Sequence, residues 1–196
     1  MGRPTKANSL TSADIVAAAI SVIDAEGPDA LSVSRVARAL SIKPPAIYKH
    51  LPGNAGLHRA VALALWQQYI TFCRSRVETI EDNRNRLRTS LRATREFAIQ
   101  QPHLFQVMVS YVLAPDDAEA AAVILETQQF VATALQLHGL QADRLIDALR
   151  MITATINGFI TFEQRGNLTL PRSTEDSFEV ILEALLLAVE HIRDRS

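Results

Sequence analysis

A chain of 196 residues with one cysteine, one tryptophan and three tyrosines leaves several kinds of protein out of reach. Cys73 has no partner for an internal disulfide, and a lone thiol cannot build a cysteine-rich zinc site. It falls in an apolar helical run, which points to a packed thiol rather than a redox sensor. No HExxH, paired-cysteine or glycine-rich phosphate motif is present. The histidines (His50, His58, His103, His138 and His191) are scattered, and no Ser/His/Asp set follows from their spacing. No catalytic residue, metal site or cofactor is therefore expected, and an enzyme is not. No apolar run approaches the roughly 20 residues that span a bilayer. The polar opening MGRPTKANS lacks the apolar core of a signal peptide, so a cytoplasmic protein without a membrane partner is expected. Strand-like alternation, internal repeats and low-complexity segments are missing too, leaving an all-α chain of about nine helices.

Apolar residues make up 48 % of the chain and charged residues 21 %, which fits a folded protein of one or two domains. The net charge of −1 says nothing about a partner, but its distribution does. Through residue 60, seven lysines and arginines face four acidic residues; beyond it, thirteen face seventeen. A basic head on an acidic body is what a nucleic-acid reader needs.

The organising stretch runs from Ser32 to Leu57, SVSRVARALSIKPPAIYKHLPGNAGL. Val33, Val36, Ala37 and Leu40 give a short helix an apolar stripe at one-turn spacing, with Ser34, Arg35 and Arg38 pointing away. Ser41, Ile42 and Lys43 form a short connection in which Ile42 plugs the gap between helices. Pro44 and Pro45 stop the first helix and suit the first turn of the next, where a missing N–H leaves nothing unpaired. Ile47 and Leu51 then point inward. The opposite surface carries Lys43, Pro44, Pro45, Ala46, Tyr48, Lys49 and His50. Small residues allow close approach to a groove, Tyr48 and His50 can reach phosphate oxygens, and Lys43 and Lys49 add charge. The pattern predicts a helix-turn-helix that meets double-stranded DNA. Ahead of it, Thr11 and Asp14 resemble a capping box for a first helix carrying Ile15, Ala18, Ala19, Val22 and Ile23 and ended by Gly27-Pro28. Residues 2 to 8, with Arg3 and Lys6, are either a loose terminus or a basic arm laid on the phosphate backbone or in a minor groove. The domain boundary is placed after residue 53, giving a three-helix head, 1–53, and a helical body, 54–196.

The body opens on a strut, 54 to 77, whose run from Ala60 to Trp66 is apolar on every side and is expected to be buried all round. After a polar break, Leu87, Leu91, Thr94 and Ala98 line one side of a helix, and Arg84, Arg88, Arg92 and Arg95 another. That row is either an acidic-ligand site or a solvated face with local ion pairs such as Arg92 with Glu96. Pro102 opens the next segment; Asp116 and Glu119 start a long helix that Gly139 ends. The last two helices, 142–165 and the one after the Gly166 to Arg172 loop, carry broad apolar stripes. Packed against the same pair from a second subunit, they would form a four-helix homodimer interface through Ile152, Ile156, Phe159, Phe178, Ile181, Leu182, Leu185, Leu186 and Val189; the alternative is that both stripes face their own core.

Over residues 11 to 65, the segments Ala30-Leu31-Ser32-Val33, Val36-Ala37-Arg38-Ala39-Leu40 and Ala46-Ile47-Tyr48-Lys49-His50-Leu51 resemble, in order and spacing, the TetR family of bacterial one-component transcriptional regulators. Residues 145 to 190, with Asn157-Gly158 and Phe162-Glu163, are similar to the family's subgroup named for a Trp-His-Gly signature, with Asn157 in place of the histidine. The resemblance implies a homodimer that binds a pseudo-palindromic operator through its first three helices and holds a small-molecule effector in its body. By it, Ser34 and Tyr48 match backbone-contacting positions, Pro44, Pro45 and Ala46 lie near bases, and Lys49 and His50 match base-proximal and phosphate contacts. Ser41 stands where the family usually has glycine, Lys43 where it often has a capping serine or threonine, and Leu51 where phenylalanine is typical. Asn54 stands where a lysine usually helps hold a phosphate, and can still cap the fourth helix. Candidate pocket residues are Trp66, Tyr69, Phe72, Phe97, Phe105, Met108, Phe130 and Met151, a set that implies a mostly apolar ligand releasing a repressor from DNA. The alternative is a DNA-binding regulator without an effector, controlled by a partner protein or by abundance.

Overall fold

Apolar residues recurring at one-turn spacing, punctuated by caps, dictate helices, and helices are what the computed structural model contains. It describes residues 10–112, 114 and 116–194, so Arg3 and Lys6 of the basic arm lie outside the described residues. Among the described residues there are nine α-helices and no strand: α1 (Ser12–Glu26), α2 (Val33–Ala39), α3 (Pro44–Tyr48), α4 (Gly53–Val77), α5 (Asn83–Gln100), α6 (Pro102–Ser110), α7 (Ala118–Leu137), α8 (Ala142–Gln164) and α9 (Thr174–Asp194), with one 3-10 turn at Pro28–Ala30. The chain divides into two compact units: described residues up to 66 with 103–112, and 67–102, 114 and 116–194. The N-terminal unit thus reaches past residue 53, because Leu57, Val61, Ala62 and Leu65 of α4 are fully buried.

In the N-terminal unit, α1 starts with a reciprocal capping box: Asp14 N–H donates to the Thr11 hydroxyl (3.1 Å) and Thr11 N–H to the Asp14 carboxylate (2.8 Å). Ile15, Ala19, Val22 and Ile23 bury its inner face, and α1 packs on α2. α2 ends in a Schellman motif, with Ile42 N–H donating to Ala37 O and Ser41 N–H to Arg38 O, both 3.0 Å. Ser41 takes the left-handed position, φ 55°.

In the C-terminal unit, α5 packs against α7, α8 and α9, and α8 against α7 and α9. Asp82 caps α5 by accepting from Asn85 N–H (2.8 Å), and Asp117, rather than the expected Asp116, caps α7. Gly139 (φ 85°) ends α7, where a side chain would be strained. Tyr69 and Phe72 of α4 both meet Phe97 of α5 edge-on at 5.5 Å.

Three expectations are corrected in this unit. The arginine row pairs across helices: Arg84 with Glu183 (2.9 Å) and Glu190 (3.2 Å), Arg88 with Glu179 (2.6 Å) and Glu183, Arg92 with Glu179 (2.5 Å). Glu96 turns instead to Arg76 of α4 (2.6 Å). The stripe assigned to a dimer seam is the chain's own core. Ile152, Ile156, Phe159, Phe178, Leu182, Leu185, Leu186 and Val189 are all buried within one subunit and Ile181 is half-buried, since α5 fills the space a partner was expected to take. Third, α8 is, by length and composition, apolar enough to cross a bilayer, its most apolar 18-residue stretch having mean hydropathy 1.3. Only 22 % of that stretch is buried, which means that α8 has a second apolar side facing outward.

Candidate nucleic-acid interface

Ile47 is the pivot of α3. Its side chain is fully buried, and Leu51, one turn on, is nearly so. With these two facing in, Lys43, Pro45, Tyr48, Lys49 and His50 are exposed, Tyr48 by 55 %, and Pro44 and Ala46 are partly open. Ser34 of α2 is exposed as well. The structure therefore brings the expected α3 residues onto one outer surface. The side chains of Lys43, Lys49 and His50 make no ion pair or hydrogen bond among the described residues, so their donors point to solvent. Arg38 joins them as an exposed, unpaired cation that sequence reasoning did not single out. Arg35 differs: its guanidinium forks onto Glu26 at the end of α1, with Nε–Oε2 2.6 Å, which holds the Glu26 carboxyl below the usual carboxylate range.

Asn54 has a second task. Rather than capping α4, which starts at Gly53, its Oδ1 accepts from Val33 N–H at 2.8 Å, satisfying a first-turn donor of α2. One turn on, the His58 ring bonds Leu31 O (3.1 Å). The His103 ring bonds Asp24 O (3.1 Å), tying α6 to the last turn of α1, and the His138 ring bonds Asn83 O (3.1 Å). Three of the five histidines are thus spent on backbone carbonyls. Among the described residues no cluster of His, Cys, Asp or Glu could hold a metal ion. Burial pushes the Cys73 thiol up to about 12 and raises the Tyr69 phenol, so neither is ionised at neutral pH.

The eight expected pocket residues are distributed over both units. Trp66, Phe105 and Met108 belong to the N-terminal unit, whereas Tyr69, Phe72 and Phe97 form the aromatic cluster of the other and Met151 is half-buried on α8. Phe130 lines a cleft, of about 720 Å³, between α4, α5 and α7. Its other walls mix polar and apolar groups: Thr71, Arg74, Ser75 and Val77 from α4, Glu78 just after it, Arg86 and Ser90 from α5, and Gln129, Thr133 and Ala134 from α7. Tyr69, Phe97, Phe105 and Met108 are buried, and a packed ring and a pocket-lining ring look alike in sequence.

Comparison with known proteins follows the same division. A family model described as "Bacterial regulatory proteins, tetR family" matches residues 15–61, and one described as "Tetracyclin repressor-like, C-terminal domain" matches 87–185. An uncharacterized HTH-type transcriptional regulator of Mycobacterium tuberculosis is 26 % identical over 166 residues, 85 % of this chain and 74 % of its own. Among solved structures, a protein of unknown function from Rhodococcus sp. RHA1 superposes with TM-score 0.77 at 18 % identity, covering 94 % of this chain and 98 % of that one. A TetR variant from Acinetobacter baumannii in complex with minocycline gives 0.72 at 22 %, covering 94 % and 99 %. Apo ActR from Streptomyces coelicolor gives 0.73 at 18 %, covering 95 % and 98 %.

Proposed function

The chain belongs to the TetR family of bacterial DNA-binding transcriptional regulators, and on that footing we propose that it is a homodimeric repressor, acting in the cytoplasm, that a small molecule releases from its operator. The observation that carries the reading is the outer face of α3, where Tyr48, Lys49 and His50 stand exposed around the buried Ile47. In the proposal, Pro44, Pro45 and Ala46 approach base edges, while Ser34, Lys43, Tyr48 and Arg38 engage phosphates. Two such faces about 34 Å apart would enter successive major grooves.

The dimer face we assign is the outward side of α8 and α9. Ala154, Gly158 and Phe162 recur there every four residues, and Val180, Ala184 and Leu187 continue the patch; all six are exposed in the single subunit. A Cβ placed on Gly158 would meet nothing, so the backbone there is open to close approach by a neighbouring helix. This patch explains why α8 is more apolar than its own core contacts require.

For the switch, a ligand must bind one arrangement of the body better than the other, and α4, whose residues run from one unit into the other, is the element that reports it to the head. The test is selection of bound sequences from a random duplex pool at two salt concentrations, because phosphate contacts make affinity salt-dependent. Enrichment of a near-palindrome with two half-sites is expected. Weak, salt-sensitive binding with no enrichment would sink the reading. A regulator without an effector would give the same operator but no thermal stabilisation across a metabolite library, where a ligand at 100 times its Kd adds about 2.7 kcal/mol.

A further inference from the structure

We infer that the effector is an organic anion that also carries hydrogen-bond donors on an apolar body. The inference rests on the ligand-responsive reading above and concerns the cleft between α4, α5 and α7.

The cleft's charges are unequally satisfied. Arg74 is neutralised by Glu126 at 2.5 Å. Arg86 is not: it gives one N–H to Ile80 O (3.1 Å) and meets no carboxylate among the described residues. A guanidinium has five donors, so most of Arg86's remain for an occupant. Glu78 also lines the cleft but is exposed, so water screens its repulsion of an anion. A neutral apolar occupant would strip water from Arg86 and return nothing, which is costly for a charged group.

The hydroxyls add a second requirement. Thr71 donates to Gln67 O (2.8 Å), Ser75 to Phe72 O (2.7 Å) and Ser90 to Arg86 O (2.8 Å), each within its own helix. With their protons spent, these three oxygens offer lone pairs to the cleft. The complementary ligand therefore brings donors toward α4 and an anionic group toward Arg86, while Phe130 and Val77 take its apolar part. This differs from the mostly apolar ligand that the aromatic residues suggested.

The test is thermal stabilisation of the full chain by four matched probes at millimolar concentration: para-hydroxycinnamate, its methyl ester, cinnamate and tyramine. Para-hydroxycinnamate is expected to bind roughly tenfold to hundredfold more tightly than the ester, the scale of one lost charge-assisted hydrogen bond. Arg86→Met should erase that preference. Because Arg86 also holds the turn at Ile80, Thr71→Val serves as an independent variant; it keeps shape and should erase only the preference over cinnamate. An ester as good as the acid, a preference for tyramine, or an acid preference that survives Arg86→Met overturns the inference but leaves a ligand-responsive regulator standing. No response to any probe overturns it too. If broader libraries also give none while duplex selection still yields a palindrome, the effector itself is lost from the reading.

Discussion

Arg95 and Glu163 meet in a two-bond fork, Nε to Oε2 at 2.8 Å and Nη2 to Oε1 at 2.7 Å, with the arginine 6 % exposed. The guanidinium carbon lies 4.8 Å from the ring centroid of Phe178 and 5.8 Å from that of Phe159, and a further N–H reaches Glu175. One side chain of α5 thereby joins α8 and α9. Arg95→Met leaves the Glu163 carboxylate without its counter-charge and is expected to cost about 3 kcal/mol in urea denaturation. Arg95→Lys keeps the charge but loses the planar fork and should cost less. A loss below about 1 kcal/mol for the methionine variant would mean that the pair is worth no more than a surface bridge.

Acid should weaken the body. Hydrogen bonds from Arg95 hold the Glu163 carboxyl below its usual range, and those from Arg92, then Arg88, do the same for Glu179. A group whose folded pKa is depressed contributes stability that is complete above its unfolded pKa and lost as pH falls through the folded one. Stability is expected to be flat near neutrality and to drop as pH passes below about 4. Glu163→Gln should be less stable at pH 7 and show a shallower acid limb; an unchanged slope would remove Glu163 from the linkage.

Ser41 holds a left-handed backbone, φ 55°, at the turn between α2 and α3. Glycine adopts that conformation without the Cβ penalty of about 1 kcal/mol. Ser41→Gly is expected to raise the melting temperature while leaving DNA affinity unchanged, measured by calorimetry and by duplex titration.

On the α3 face, Lys49→Ala should lower operator affinity, and its log–log salt slope should become shallower by about 1 if the lysine neutralises a phosphate. Tyr48→Phe keeps the ring and removes one hydroxyl, so affinity should fall about fivefold with sequence preference preserved. If both variants bind as the parent does, α3 is not the reading element.

Leu187→Glu puts a charge on the outward side of α9, where the leucine is 59 % exposed, and should yield folded monomers by light scattering. Leu185→Glu, two residues away on a side only 5 % exposed, should unfold the subunit instead. A dimer that survives Leu187→Glu would move the interface elsewhere.

How far the sequence could be read follows from the range of each signal. Local ones succeeded: the Thr11 to Asp14 capping box, the inward Ile47 and Leu51 and the glycine end of α7 all depend on residues within one or two turns, whereas the burial expected all round the apolar run of α4 is complete only at Val61, Ala62, Leu63 and Leu65. Signals that depend on a distant partner did not. Arg92 finds Glu179 rather than Glu96, four residues away, because α9 lies alongside α5, and spacing cannot show that. The last two helices are apolar on two sides, and periodicity identified the stripe without saying which side meets the chain itself. Ile156 went inward and Gly158 outward.

The bonds from Asn54 to Val33 N–H and from His58 to Leu31 O fasten the first turns of α4 to the start of α2 at two heights. Two fasteners resist rotation as well as translation. A pull on this end of α4 must therefore carry α2 along or break both bonds, and melting α2 alone would orphan a backbone donor. In the proposed repressor the quantity varied is then the distance between two unchanged reading surfaces, and the operator works as a ruler.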